Sequence, residues 1–210
     1  HSRASKIIEI TRDKVKLEEK SAQKHIIKIN RNGDMFRLGV LDIPAFYMDF
    51  EAFKERDPNY KSTTRDVRNL LKELEKEKVD GIVLDLRNNG GGSLREAINL
   101  TDLFIDPGPV VQIRDARRRT YQPGKALYKS EYTGPLIVVT NRLSASASEI
   151  TAGALQDYGR ALIVGSQTFG KGTVQDVTPL TTGQLKVTNA KFYRISGDST
   201  QHRGVWPDII

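Results

Sequence analysis

The sequence predicts an α/β protein, and three observations carry that prediction. Residues 62–78 read as an amphipathic helix that runs almost directly into an apolar strand at 81–86. That strand passes through a run of glycines into a second helix at 94–104. A further strand, 135–140, leads through a serine–alanine stretch into a helix stopped at Gly159, and a strand at 161–165 follows. Strands separated by helices in this way build sheets covered by helices.

The elements can be justified in order. Residues 6–28 are basic and weakly patterned, with short strands expected at 7–10 and 15–17. A strand at 26–29 closes on an Asn32-Gly33 turn, and 36–43 is a strand ending at Pro44. Phe46, Tyr47 and Met48 lie just beyond it, where they either pack in the core or line a groove. In helix 62–78 the apolar stripe is Val67, Leu70, Leu71 and Leu74, and Thr63 with Asp66 resembles a capping arrangement. The near-continuous apolar run 81–86 implies cover on both faces. Strands are expected at 109–113 and 135–140, with an exposed, Arg- and Lys-rich excursion between them. Residues 184–187 and 190–195 are expected to form a hairpin around the lysine region.

Composition narrows the class. At 210 residues the chain suits one domain with a sizeable core. With 38% apolar and 28% charged residues it reads as globular, and no run approaches the ~18 apolar residues that span a bilayer. There are no cysteines, which excludes disulfides, thiolate metal sites and a cysteine nucleophile. No His/Cys/Asp/Glu cluster has ligand spacing, so no metal or other cofactor is expected. The net charge of +7 is spread along the chain, and the Arg117-Arg118-Arg119 cluster lacks interleaved aromatics. No nucleic-acid partner is expected on that pattern.

Two stretches can carry chemistry. In the first, Ser144, Ser146 and Ser148 alternate with alanines at a helix entrance, where free N–H groups and the positive end of the helix dipole suit an attacking serine and its oxyanion. An N-cap serine is the plain alternative. A serine needs a base, and His1, His25 and His202 all lie far from the run in sequence. Lys171, after the apolar run 161–165, is the better candidate, because burial lowers a lysine's pKa and frees its amine to take a proton. A surface loop lysine is the plain alternative. The second stretch is the glycine loop 87–92 between strand and helix, which suits a phosphate, a coenzyme A diphosphate or a tetrahedral oxyanion, or is simply a flexible turn.

Three separated segments resemble one family in order and spacing. SASASEI with QDYGRALIVG and TFGKGTVQ (within 144–175), LDLRNNGGGSLREA (84–97) and KFYRISGDSTQHRGVWPDI (191–209) are similar to the C-terminal processing peptidases, or tail-specific proteases, which are serine peptidases with a Ser–Lys dyad. The resemblance covers nearly the whole chain from about Lys6. It implies a crotonase-like, Clp-protease-like α/β core of β-β-α units, with residues 1–30 as lead-in strands and 31–210 as the peptidase core. A PDZ domain, usual before this core, would need ~80–100 residues, for which a single-domain length leaves no room. The family nucleophile stands 25 residues before the motif lysine, which selects Ser146 for Lys171. The resemblance makes Gln175 the group that orients the lysine, and the Ala147 and Gly92 N–H groups the oxyanion donors. It also marks Glu149, Asp157 and Thr168 as supporting positions. A helix-terminus charge, a solvated helix face and a loop cap remain open readings for those three. The implied substrates are proteins or peptides with apolar C-terminal tails, in the periplasm or another extracytoplasmic compartment.

Three rivals are weighed against this. Gly165 to Lys171 fits a phosphate-binding loop, but Gly172 stands where that loop needs Ser or Thr. A crotonase-type acyl-CoA enzyme would share the glycine device, yet has no use for the serine run and Lys171. A non-catalytic peptide-binding fragment would capture peptides by strand addition.

Overall fold

The computed structural model describes Glu9, residues 21–123 and residues 129–210. Apart from Glu9, the strands expected at 7–10 and 15–17 lie outside the described residues. The fold is α/β, as expected. Strand β1 (Gln23–Arg31) and strand β2 (Asp34–Asp42) pair antiparallel around Asn32 and Gly33, both at positive φ (55° and 93°). Such a two-residue turn matches the twist of the strands it joins. After the short helix α1 (Phe50–Lys54), helix α2 (Thr63–Lys76) leads back to β3 (Gly81–Asp85), which lies parallel to β2. Helix α3 (Leu94–Asp102), β6 (Leu136–Thr140), helix α4 (Ala147–Asp157) and β7 (Leu162–Gly165) complete a five-stranded sheet in the order β1-β2-β3-β6-β7. Strands β2, β3, β6 and β7 are parallel, and β3 and β6 are buried or half-buried along their whole length. That burial explains their near-continuous apolar sequence.

A second sheet is antiparallel, in the order β5-β4-β9-β8, from β4 (Gln112–Asp115), β5 (Thr120–Tyr121), β8 (Thr173–Pro179) and β9 (Gln184–Tyr193). This corrects two expectations. Residues 184–195 do not form a hairpin of their own: β9 is one continuous strand through Tyr193, and its hairpin partner is β8. Most of both strands is exposed, so no alternation of apolar and polar residues marked them. Regular pairing also starts at Gln112 rather than at Pro109. The closing segment returns to the first sheet, where Ile209 bridges Val164 in parallel at the β7 edge.

The core lies between the sheets and helices. The predicted stripe of α2 faces it, with Val67, Leu71 and Leu74 buried and Leu70 packed at its margin. The cap of α2 is Ser62, one residue before the predicted position, whose hydroxyl accepts the Arg65 N–H at 3.3 Å. Thr63 turns inward instead and hydrogen-bonds both backbone groups of Tyr47. Leu74 is fully buried against Gly39 of β2, so the sheet cannot close over the space left by a smaller side chain. Leu74→Ala is therefore expected to lower the unfolding free energy by about 2–5 kcal/mol in urea melts.

Candidate active site

The parallel strands deliver three loops to one place. Beyond the carboxyl ends of β2, β3 and β6 lie Phe46, the glycine loop and the serine run, respectively. Ligands of parallel sheets bind at such ends. Asn88 and Asn141 clamp two of these loops together through a reciprocal pair: the Asn88 N–H donates to Asn141 Oδ1 at 3.0 Å, and Asn141 Nδ2 donates to Asn88 Oδ1 at 2.9 Å. Asn89 is fully buried and extends the clamp, donating from Nδ2 to the Ile43 carbonyl and accepting the Gly91 N–H on Oδ1. Sequence reasoning missed these three asparagines. The Asn88-Asn89 pair before the glycines was the available signal.

The three serines do different work. Ser144 Oγ donates to the Leu86 carbonyl at 2.8 Å, and Ser148 Oγ donates to the Asn89 carbonyl at 2.8 Å. Both side chains are fully buried. They fasten the serine run to the glycine loop and have no hydroxyl to offer a substrate. Ser146 stands at the N-cap of α4 with its N–H held by Glu149, and the residue is half-buried on the wall of a 910 Å³ cleft. Its backbone stands at φ 57° and ψ −111°, outside the regions open to an L-residue. Such a conformation costs on the order of 1–3 kcal/mol and persists only where the surroundings enforce it.

Glycines supply part of that enforcement. A Cβ at Gly91 would lie 2.8 Å from Ser146 Cβ and 3.0 Å from the Ala147 nitrogen. At Gly92, with φ 146°, a Cβ would lie 2.2 Å from the Phe46 carbonyl oxygen. Only bare backbone fits in either place. Phe46 donates its N–H to the Gly91 carbonyl, and its own carbonyl accepts the Ser93 N–H. Among the described residues, the Gly92 and Ala147 N–H groups have no acceptor. Both residues line the cleft with Ser146. Gly91, which makes the close approach, was another residue that sequence reasoning passed over.

Glu149 is the centre of the local network. It is fully buried, and its carboxylate accepts four hydrogen bonds. Oε1 takes the Thr168 hydroxyl at 2.7 Å and the Gly170 N–H at 2.6 Å, while Oε2 takes the N–H groups of Ser146 and Lys171, each at 2.8 Å. Thr168 is buried as well, and its oxygen accepts the Val205 N–H at 2.7 Å. A buried carboxylate is tolerable when donors fill its lone pairs, and here they do. Asp157 is not on a solvated helix face. Arg194 holds it in a two-bond ion pair at 2.6 and 3.1 Å, which ties the end of α4 to the segment after β9.

Lys171 is half-buried in the same cleft. Its pKa is lowered from the ordinary lysine value, first by burial and then by the nearby charge of Lys186, while Glu149 opposes the shift. Its amine donates to the Thr173 carbonyl at 3.4 Å. Gln175 lines the cleft too, but its amide donates to Thr188 Oγ1 at 3.2 Å and not to the lysine. The pairing of β8 with β9 shifts register between Val174 and Gln175. Among the described residues, no group of three or more His, Cys, Asp or Glu side chains is placed to hold a metal. Glu149→Gln puts an NH₂ group against one pair of the donors that now meet the carboxylate. It is expected to lower the thermal midpoint by several degrees, read by circular dichroism, whereas Glu149→Asp should recover part of the loss.

The sequence pattern of peptidase family S41 matches residues 37–210. The tail-specific protease of Haemophilus influenzae is 44% identical over 98% of this chain and 28% of its own length. The carboxy-terminal-processing protease of Bartonella bacilliformis is 44% identical over 69% of this chain and 34% of its own. The solved photosystem II D1 C-terminal processing protease superposes with a TM-score of 0.70 at 36% identity, covering 82% of this chain and 42% of that one. The chain thus spans about a third or less of the length of these curated relatives. With the family pattern running through the glycine loop, the serine run and the lysine loop alike, the chain belongs to peptidase family S41.

Proposed function

We propose that the chain is the catalytic core of a serine endopeptidase that cleaves proteins or peptides with apolar C-terminal tails in an extracytoplasmic compartment. The names of its relatives support the substrate class. One observation carries the chemistry. Of three alternating serines, Ser146 alone lines the cleft, and it shares that cleft with a lysine whose pKa is lowered. In this reading residues 1–30 lead into a core at 31–210, joined through β1 to the main sheet.

The neutral Lys171 amine takes the Ser146 proton as Oγ attacks the scissile carbonyl. Negative charge develops on the carbonyl oxygen, where the Ala147 and Gly92 N–H groups receive it. The protonated amine then gives its proton to the leaving nitrogen. Water, deprotonated by the same lysine, releases the acyl group from Ser146. Glu149 and Thr168 hold the backbones of the serine and lysine in register, and Asp157 anchors α4 through Arg194. Gln175 orients Lys171 once its amide leaves Thr188. The cycle regenerates every group and needs neither metal nor cofactor.

Ser146→Ala is expected to lower kcat/KM for an unfolded protein substrate by several orders of magnitude without lowering the melting temperature. Ser144→Ala and Ser148→Ala each remove one of the two hydrogen bonds to a carbonyl that keeps a backbone donor, so they should lose about 0.5–1.5 kcal/mol of stability but keep the nucleophile. If Ser144→Ala is the inactive variant and Ser146→Ala is not, the nucleophile is misassigned.

The base has its own test. A lysine with a lowered pKa is neutral at a lower pH than free lysine, so hydrolysis should rise with pH through that lowered value. Lys171→Arg keeps the charge but cannot release a proton near neutrality, and should be nearly as inactive as Lys171→Ala. Lys186→Ala removes a charge that disfavours the ammonium form, so it should move the rising limb of the pH–rate profile to higher pH. A limb that stays in place would exclude that coupling.

A further inference from the structure

The cleft contains one acid that the hydrolytic cycle does not use. Asp102 is the last residue of α3 and lies on the cleft wall with Ile98, Ile150 and Phe192. It also borders a second hollow of 180 Å³. Its Oδ1 is buried, and among the described residues neither carboxyl oxygen has a hydrogen-bond partner. The position is doubly unfavourable for an anion, because the exposed carbonyls at a helix C-terminus repel negative charge and the last turn of α3 holds no basic residue. A carboxylate kept unpaired against an apolar wall can accept a hydrogen bond from whatever enters the cleft.

We propose that Asp102 is a specificity-determining residue, whose carboxylate accepts a hydrogen bond from a neutral hydroxyl or amide side chain of the bound peptide and so selects that side chain over an apolar one of equal size. The proposal rests on the reading of the cleft as a peptide site. The charges around Asp102 decide the kind of donor. Arg95 on the same helix, Lys171 before β8 and Lys186 on β9 line the cleft. Arg65 and Arg68 of α2, with Lys129 and Glu131, line the hollow behind. Among the described residues, the charges of Arg95 and Lys186 outweigh the one acid and make the cleft unfavourable for a lysine or arginine side chain, which leaves a neutral donor. The preferred substrate is therefore an apolar tail carrying one hydroxyl or amide residue. The same burial raises the Asp102 pKa to about 6. The strong, charge-assisted hydrogen bond is available above that pH and gives way to a weaker neutral one below it.

The test uses peptides that differ by threonine for valine, an isosteric pair, at each position around the scissile bond in turn. The kcat/KM ratio of each pair is measured at pH 8, so that any dependence common to both peptides cancels. Binding of the same pairs to Ser146→Ala is measured by calorimetry at pH 8 and pH 5. One position should favour threonine about tenfold at pH 8, with the preference shrinking at pH 5. Asp102→Leu should abolish or reverse the preference, and the near-isosteric Asp102→Asn should keep a reduced preference that no longer changes with pH. Cleavage with the same threonine-to-valine ratios in wild type, Asp102→Leu and Asp102→Asn would overturn the role of Asp102 and leave the peptidase reading standing. Binding that discriminates through Asp102 without any cleavage by wild type would do the reverse. Peptides neither bound nor cleaved would overturn both.

Discussion

The site depends on one buried carboxylate. Glu149 accepts the backbone N–H of the serine, the backbone N–H of the lysine and two donors from the loop between them. No single neutral side chain could do this, because only a carboxylate brings two acceptor oxygens, with about four lone-pair sites, to four converging donors. The arrangement also settles what Glu149 does not do. It grips the lysine by its backbone, so its effect on the Lys171 amine ranks below burial and below Lys186. The amine stays in an environment that disfavours its charged form, although an anion sits nearby.

The same constraint makes the strain at Ser146 sustainable. Its positive φ is held by the Glu149 carboxylate on its N–H, by Gly91 packed against its Cβ, and by Ser144 and Ser148 fastened on either side. The flanking serines hold this geometry in place. They occupy the acceptors of the glycine loop, and the loop in turn presents its bare backbone to the helix entrance. Alternation of small residues permits the close approach, and alternation of hydroxyls fixes it.

The two sheets have separate tasks. The parallel sheet positions the serine and the glycine loop through the carboxyl ends of adjacent strands, where register leaves little freedom. The antiparallel sheet forms the facing wall of the cleft, with Gln175, Val177, Lys186 and Phe192. Lys171 lies at the junction, immediately before β8. The lining of both walls is largely apolar, while Arg95, Lys186 and Asp102 add polarity at chosen points. Lys186 of the second sheet therefore adds to burial in lowering the Lys171 pKa, although the Lys171 backbone is held by Glu149 of α4.

Much of this was legible in the chain because it depends on local periodicity and on motif spacing. Val67, Leu71 and Leu74 recur at helical spacing, the strand at 81–86 is apolar throughout, and Gly159 ends its helix at φ 60°. The 25-residue spacing singled out Ser146 and Lys171 by resemblance. What the chain could not reveal was which of several equivalent groups is already engaged. The hydroxyls of Ser144 and Ser148 are taken up by bonds to Leu86 and Asn89, more than fifty residues away. Glu149 could be read as a helix-terminus charge, Thr168 as a loop cap and Asp157 as solvated surface, until their partners across the fold were in place. The β8–β9 hairpin was missed because its exposed faces leave no alternation to read. Apolar patterning records only which side of an element meets the core. The pairing of polar groups is fixed when distant loops meet, and only the tertiary structure decided it.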